Sequence, residues 1–312
     1  MKKINANAVP IKKSLKRDWE LYLFLLLPVA YVFIFNYIPM GGLVIAFKDY
    51  EVRKGIWESD WVGLEQFKRF FESYMFKDVM GNTIVLALYG LIAGFPIPVL
   101  FALTLNSVKN KRFKKITQTI VNMPHFISTV VMVGVLMLVF HNRLGIYGNL
   151  VHVLTGEYPG DVFASPSAFR HFYVWSGVWQ GFGWSSIIYT AALTGVDPSY
   201  HEAAQLDGAS RFQRVIYVDL PTIVPTIVTL LILDMGSILS LGYEKVLLMQ
   251  NSLNISASQV VSTYVYEMGI SGGGAGNFSY STAIGMFNNV IELILLIIVN
   301  QISKRISDTS VF

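Results

Sequence analysis

The 312-residue sequence contains no cysteine. That absence removes disulfides, thiol catalysis and cysteine metal sites, and it leaves the redox compartment open. Charge is nearly as scarce: 14% of residues are Asp, Glu, Lys or Arg, against about 25% in an average soluble domain. The patterns of several function classes are also missing. The five histidines, His125, His141, His152, His171 and His201, are scattered, with no pair at metal-ligand spacing on one helix face. The glycines at 272–276 lack the Lys-Ser/Thr of a phosphate-binding loop and open no helix, so they read as loop. A net charge of +4 with no basic stripe interleaved with aromatics gives no expectation of nucleic acid as a partner.

What the sequence does have is apolar length. Hydrophobic residues make up 53% of it, concentrated in runs at about 21–40, 81–105, 117–140, 169–195, 221–241 and 282–302. Runs of this length exceed core helices and match membrane spans. The expected fold class is all-α, a polytopic membrane protein with six transmembrane helices. The first run is long and is closed by no small-x-small cleavage site, so it reads as an uncleaved span and not as a signal peptide. Pro96 and Pro98 are expected to break or kink the second span. Between the spans, 41–80 is mixed and charged, with Trp57, Trp61, Phe67, Phe70 and Phe71 suggesting an interfacial segment. Residues 141–168 read as turn-rich and 242–281 as an extended loop.

Orientation follows from the cations. With a cytoplasmic amino terminus, fifteen of the 24 Lys and Arg fall in the inner segments, which are also much the shorter. Both termini are then cytoplasmic. The organisation is a cytoplasmic tail (1–20), a first transmembrane helix with an extracytoplasmic connecting segment (21–80), a core (81–303) and a second cytoplasmic tail (304–312).

The most informative stretch is the polar one at 197–221, between the fourth and fifth runs. Asp197-Pro198 is a sound helix start, and Ser199 with Glu202 is an alternative capping box. Glu202 to Leu206 are good helix formers, and Gly208 supplies the stop. Ser210 and Gln213 repeat the box and open a second short helix that ends before Leu220-Pro221. Two small helices meeting at a glycine form a knob shallow enough for another protein's groove to close over. The spacing Glu202-Ala203-Ala204, Gly208, Val218, Leu220-Pro221 resembles the coupling loop of binding-protein-dependent ABC importer permeases, with Val218 where isoleucine is usual. The similarity extends to Trp61-Val-Gly-Leu-Glu-Gln-Phe67, Met123-Pro-His-Phe-Ile-Ser128 and Gly242-Tyr-Glu-Lys-Val-Leu-Leu-Met249. The last two look like the oligosaccharide and polysaccharide branch.

The resemblance implies a type I importer permease core in the last five helices, with the first helix added. It implies a second, similar permease subunit and an extracytoplasmic solute-binding protein. Two copies of a cytoplasmic ATPase would bind ATP and Mg, with no cofactor on this chain, which is then not itself an enzyme. The substrate would be a carbohydrate moved by alternating access in a bacterial cytoplasmic membrane. A permease for a non-sugar solute such as a peptide is the alternative; a secondary transporter has no use for the knob. Glu202 would meet a basic residue of the ATPase, or would only cap its helix. Ala203, Ala204, Gly208 and Ala209 would allow close approach, with Asp207 and Arg211 at the rim.

Polar groups inside spans are costly and therefore informative. Asp234 is expected about seven residues from the outer end of span five. Asn288 and Asn289 lie at similar depth in span six, whose Ser281, Gly285, Asn288 and Glu292 recur at helical spacing. In span four, Trp175, Trp179, Phe182 and Tyr189 form an aromatic stripe. Aromatic faces beside carboxylates and amides suit sugar recognition; packing, lipid contact and interhelical bonding are the open alternatives. Tyr243, Glu244 and Lys245 would meet substrate or brace the loop.

Overall fold

The computed structural model describes residues 17–271 and 277–307, with side chains to Lys304 in the last helix. The glycines at 272–276 and much of the two tails lie outside the described residues. Helices carry nearly everything described. The exception is one antiparallel ribbon, β1 (Lys48–Asp49) against β2 (Asp60–Trp61), with Lys48 opposite Trp61. Lys48 closes the loop between these strands by donating to the carbonyls of Ile56, Trp57 and Ser59 at 2.8, 3.1 and 3.1 Å. All three ammonium hydrogens thereby find acceptors, which is what a buried lysine requires.

The first helical run, α1 (Trp19–Phe47), leaves no residue from Trp19 to Met40 buried. A helix apolar on every side and packed on little protein belongs in lipid. The second, α2 (Phe76–Ser107), spans 32 residues. Its expected break is only a joint: Phe95 keeps right-handed helical angles (φ −69°, ψ −43°), and Pro96 begins the second half. Proline is tolerated there because the first N–H groups of a helix have no partner to lose.

The third run departs most from expectation. Helix α3 (Lys111–Asn122) and helix α4 (Thr129–Val139) meet at 97°, so 117–140 is not one straight span. Pro124, in the 3-10 turn Met123–Phe126, cannot continue the ladder. Ser128 then caps a new helix by accepting from Val131 N–H. Helix α5 (Pro166–Leu193) follows, 28 residues or about 42 Å of helix. Gly183 lets it touch the Val121 carbonyl of α3, where a Cβ would collide with backbone.

Helix α6 (Pro198–Leu206) and the run α7 (Arg211–Met235) carry the polar knob into the fifth run. That run stops at Met235, short of the expected 241, and turns carry the chain past Gly236. Gly236 sits against the tip of Leu296, which would have to shift to admit a side chain there. Helix α8 (Tyr243–Met249) then re-enters the core, and α9 (Phe278–Ser307) closes the fold. Both expected loops contain helix. Ile146–Thr155 fills part of 141–168 and ends at Gly156 in the left-handed region (φ 81°). In 242–281, α8 is followed by Ile255–Ser258 and Val261–Tyr266.

Among the described residues, four helices can cross a membrane by length and composition, or five if α3 and α4 form one broken span. Helix α5 has the length and more polar residues. Three buried clusters hold these helices together. One joins Val99, Ala102 and Leu103 of α2 to Tyr189, Leu193, Val196 and Ile223 beside the knob. A second joins Leu86, Met132, Val133, Phe163, Phe169 and Val174 to Val246, Met249 and Val260. The third places Phe70, Val79 and Met80 against Val261, Tyr264, Tyr280 and Ile284. In lipid such clusters gain close packing more than relief from water, so the interhelical hydrogen bonds between them matter.

Candidate functional site: the two-helix knob and a cavity between helices

The knob forms as two short helices. Asp197 Oδ1 accepts from Ser199 N–H at 2.9 Å, so the cap is Asp197 and not Ser199 with Glu202. This hydrogen bond holds the Asp197 carboxyl below its ordinary range. Gly208 turns the chain at φ 79°, and Ala209 N–H closes on the Ala204 carbonyl at 2.9 Å. Ser210 and Gln213 form the reciprocal capping box. Glu202 is exposed and makes no hydrogen bond or ion pair among the described residues. Ala203, Asp207, Gly208, Arg211 and Pro221 are also exposed, while Ala204, Ala209 and Leu220 are half-buried at the base. The same stretch also exposes Tyr200, Leu206, Phe212 and Tyr217, each by at least 62%. The motif does not announce these apolar residues, although their alternation with polar neighbours is visible in the sequence.

Beneath the knob lies a polar network. Asp219, 2% exposed, accepts from His201 Nε2 of α6 at 3.2 Å and from Asn106 Nδ2 of α2 at 3.4 Å. Lys114 Nζ of α3 donates to Asn106 Oδ1 at 3.4 Å. One buried carboxylate thus joins the knob to two other helices. Nothing in the local spacing of these four residues marks them, because they converge from separate segments.

The candidate pathway residues divide. A cavity of about 760 Å³ opens between α2, α5 and α7, lined by Asp234, Tyr189, Phe182, Trp184 and Lys245 among others. Asp234 is one residue from the end of α7, not seven residues inside it, because the helix stops early. Trp175 and Trp179 are half-exposed and do not line the cavity. Phe182 and Tyr189 line the cavity, so the four aromatics do not share one surface. Trp175 Nε1 donates to Tyr89 Oη at 2.8 Å, and Tyr89 Oη lies 2.7 Å from His171 Nδ1.

Asn288 and Glu292 are buried in α9, away from this cavity, and Asn289 is exposed on another face. Glu292 Oε2 accepts from Ser240 Oγ at 3.0 Å. Glu292 Oε1 and Asn288 Oδ1 are buried without a hydrogen-bond partner among the described residues. Tyr243 is half-exposed and stacked on Tyr266 at 5.3 Å, with Glu244 exposed beside it. Lys245 turns inward, donates to the Tyr173 carbonyl at 2.7 Å and lies 4.8 Å from that ring's centre. Burial pulls its ammonium down to about 8. The Met123–Ser128 stretch is held at the α3–α4 bend: His125 stacks on Trp184 at 4.6 Å, and Gln180 Nε2 donates to Ile127 O at 2.7 Å. Among the described residues no three His, Asp or Glu are placed to hold a metal.

An exposed two-helix knob between α5 and α7, in a bundle of apolar helices, sets the frame for comparison with known proteins. Residues 94–309 match the family model for the binding-protein-dependent transport system inner membrane component. The chain belongs to this family. It is 42% identical over 299 residues to protein LplB of Bacillus subtilis strain 168, covering 96% of this chain and 93% of the relative. It is 40% identical to the polygalacturonan/rhamnogalacturonan transport system permease protein YteP of the same strain, covering 94% and 90%. A solved chain of a bacterial ABC transporter involved in import of the acidic polysaccharide alginate superposes with TM-score 0.86 at 36% identity, over 95% of this chain and 98% of that one. A chain of the bacterial alginate ABC transporter in complex with an alginate pentasaccharide-bound periplasmic protein superposes with TM-score 0.87 at 36% identity, over 96% and 99%. The permease is therefore a multi-pass, all-α membrane protein of this transport family.

Proposed function

We propose that this permease is one of two membrane subunits of an ATP-driven importer that moves an oligosaccharide or polysaccharide fragment into the cytoplasm by alternating access. The observation that carries the reading is the knob, which exposes Glu202, without a hydrogen bond or ion pair among the described residues, together with Tyr200, Leu206, Phe212 and Tyr217. A rigid capped element that exposes a charged residue and several large apolar ones is suited to docking in another protein's groove. ATP and Mg bind a separate ATPase, present in two copies, that presses on the knob from the cytoplasm. A second, similar permease completes the pathway, and a solute-binding protein delivers the sugar outside. Both chain termini are cytoplasmic, and α5 serves as a further span despite its polar residues. The names of the relatives, with their pectic polymers and alginate, support a carbohydrate substrate. They favour one that carries carboxylates.

Asp219 and its partners tie the knob to α2 and α3, so displacement of α6 is passed to the spans through that network. The cavity bearing Asp234, Tyr189 and Lys245 is the pathway side of this subunit. The test is uptake in proteoliposomes holding both permeases and the ATPase, with binding protein outside and labelled oligogalacturonate as solute. Uptake that needs ATP inside and binding protein outside is expected. ATP-independent uptake overturns the importer reading; uptake of peptides but of no oligosaccharide overturns the substrate class.

A further inference from the structure

Helix α3 has a face that neither the knob nor the cavity uses. From residue 79 to residue 156 the sequence contains no Asp or Glu. Within that acid-free stretch Lys111, Arg112 and Lys115 are exposed, and none has an ion-pair partner among the described residues. Beside them runs a stripe at spacing i, i+3, i+7, i+10: Phe113, Ile116, Ile120 and Met123, each more than half exposed. The remaining sector faces protein, where Lys114 reaches Asn106 and Val121 abuts Gly183. Helix α3 thus has three sectors: one packed, one cationic and one apolar.

Two features point to what covers the open sectors. The apolar stripe continues through Phe126 into Val130, Val131, Val135 and Leu138 of α4, all exposed and all suited to acyl chains. Because α4 meets α3 at 97°, an α4 that rises through the bilayer leaves α3 in the membrane plane. An amphipathic helix with cations beside an apolar face is built to lie at that boundary. We propose that α3 is an interfacial helix of the inner leaflet, binding anionic phospholipid headgroups through Lys111, Arg112 and Lys115 with its apolar stripe among the acyl chains. The inference rests on the inward orientation proposed above. Since Lys114 of the same helix joins the Asp219 network, the anchor fixes the base against which the knob moves.

Each cation near an anionic surface contributes roughly fivefold in affinity, so K111Q/R112Q/K115Q is expected to weaken phosphatidylglycerol retention by up to ~100-fold. Native mass spectrometry of the full chain, purified with a phosphatidylglycerol and phosphatidylcholine mixture, reads this directly. Because the chain has no cysteine, Phe113→Cys offers a unique site for a fluorescent label in nanodiscs. Ile120→Cys serves if the first variant fails to fold. Quenching by doxyl-labelled phosphatidylcholine is expected in both the isolated chain and the assembled transporter. Equal phosphatidylglycerol retention by the triple variant, or a label unquenched in the isolated chain, overturns the proposal. Quenching lost on assembly also overturns it, making the stripe a protein interface. Labelling of Lys115→Cys in sealed vesicles tests the orientation separately: reaction from the outside would remove that reading while the quenching still reports whether α3 meets lipid.

Discussion

At the scale of single residues, two acids near the knob do opposite jobs. Glu202 stands free, while Asp219 is buried between His201 and Asn106. A free charge at a docking surface is expendable for folding and valuable for binding. Glu202→Lys is therefore expected to leave insertion and melting unchanged but to cut co-purification of the ATPase at least tenfold, since a charge contact at a buried interface is worth about 2–5 kcal/mol. Normal retention and uptake would reduce Glu202 to an ordinary surface residue. For Asp219 the order reverses. His201→Ala leaves the buried carboxylate with Asn106 as its remaining hydrogen-bond donor and is expected to cost about 1–3 kcal/mol in thermal unfolding. If His201 and Asp219 act as a unit, His201→Ala with Asp219→Asn costs less than the two single changes added. Additive losses would show that the contact does not couple them.

Elements show how far local sequence reaches. The knob was legible because its caps, alanines and glycine act over three or four residues, within the range of a linear pattern. The Asp219 network was not, because its members come from 106, 114, 201 and 219 and meet only after the helices pack. The same limit explains the third run: hydropathy reads 117–140 as one span, but Pro124 and the Ser128 cap bend it through 97°. The Met123–Ser128 stretch was visible as a resemblance, and the bend gives it a physical role. That bend is held from outside by Trp184, Gln180 and the bare backbone at Gly183. Gly183→Ala pushes a methyl group into the Val121 carbonyl, which cannot rotate away as a side chain can. A loss of about 1–3 kcal/mol is expected, read as a lower melting temperature in detergent. Gly181→Ala, two residues earlier and facing open space, is the matched control and should hold or raise the melting temperature, because alanine is the better helix former. Equal behaviour of the pair would mean that α3 does not cross α5 this closely.

For the whole molecule, the proposed path of the solute has two candidate sides of the bundle, the cavity and the buried face of α9. The sequence grouped Asp234 with Asn288 by depth, but depth counted along two helices says nothing about the direction each faces. Asp234 lies on the cavity, whereas Asn288 is buried in α9 with its carbonyl oxygen unpartnered. Asp234→Asn and Asn288→Leu should therefore separate. A sugar entering the cavity exchanges water for protein hydrogen bonds, and each unmet buried group costs about 1–3 kcal/mol. Asp234→Asn is expected to slow uptake per assembled complex by about tenfold while leaving assembly intact. Asn288→Leu swaps a buried amide, whose carbonyl oxygen has no partner among the described residues, for an apolar group of similar size, a change that is neutral or stabilising when no hydrogen bond is lost. Its melting temperature should hold or rise, with uptake per complex preserved. Proteoliposome uptake normalised to intact transporter, with unfolding followed on the same preparations, decides between the two sides. If Asn288→Leu abolishes normalised uptake and Asp234→Asn does not, the path runs along α9 and the cavity is only a gap that the second subunit fills.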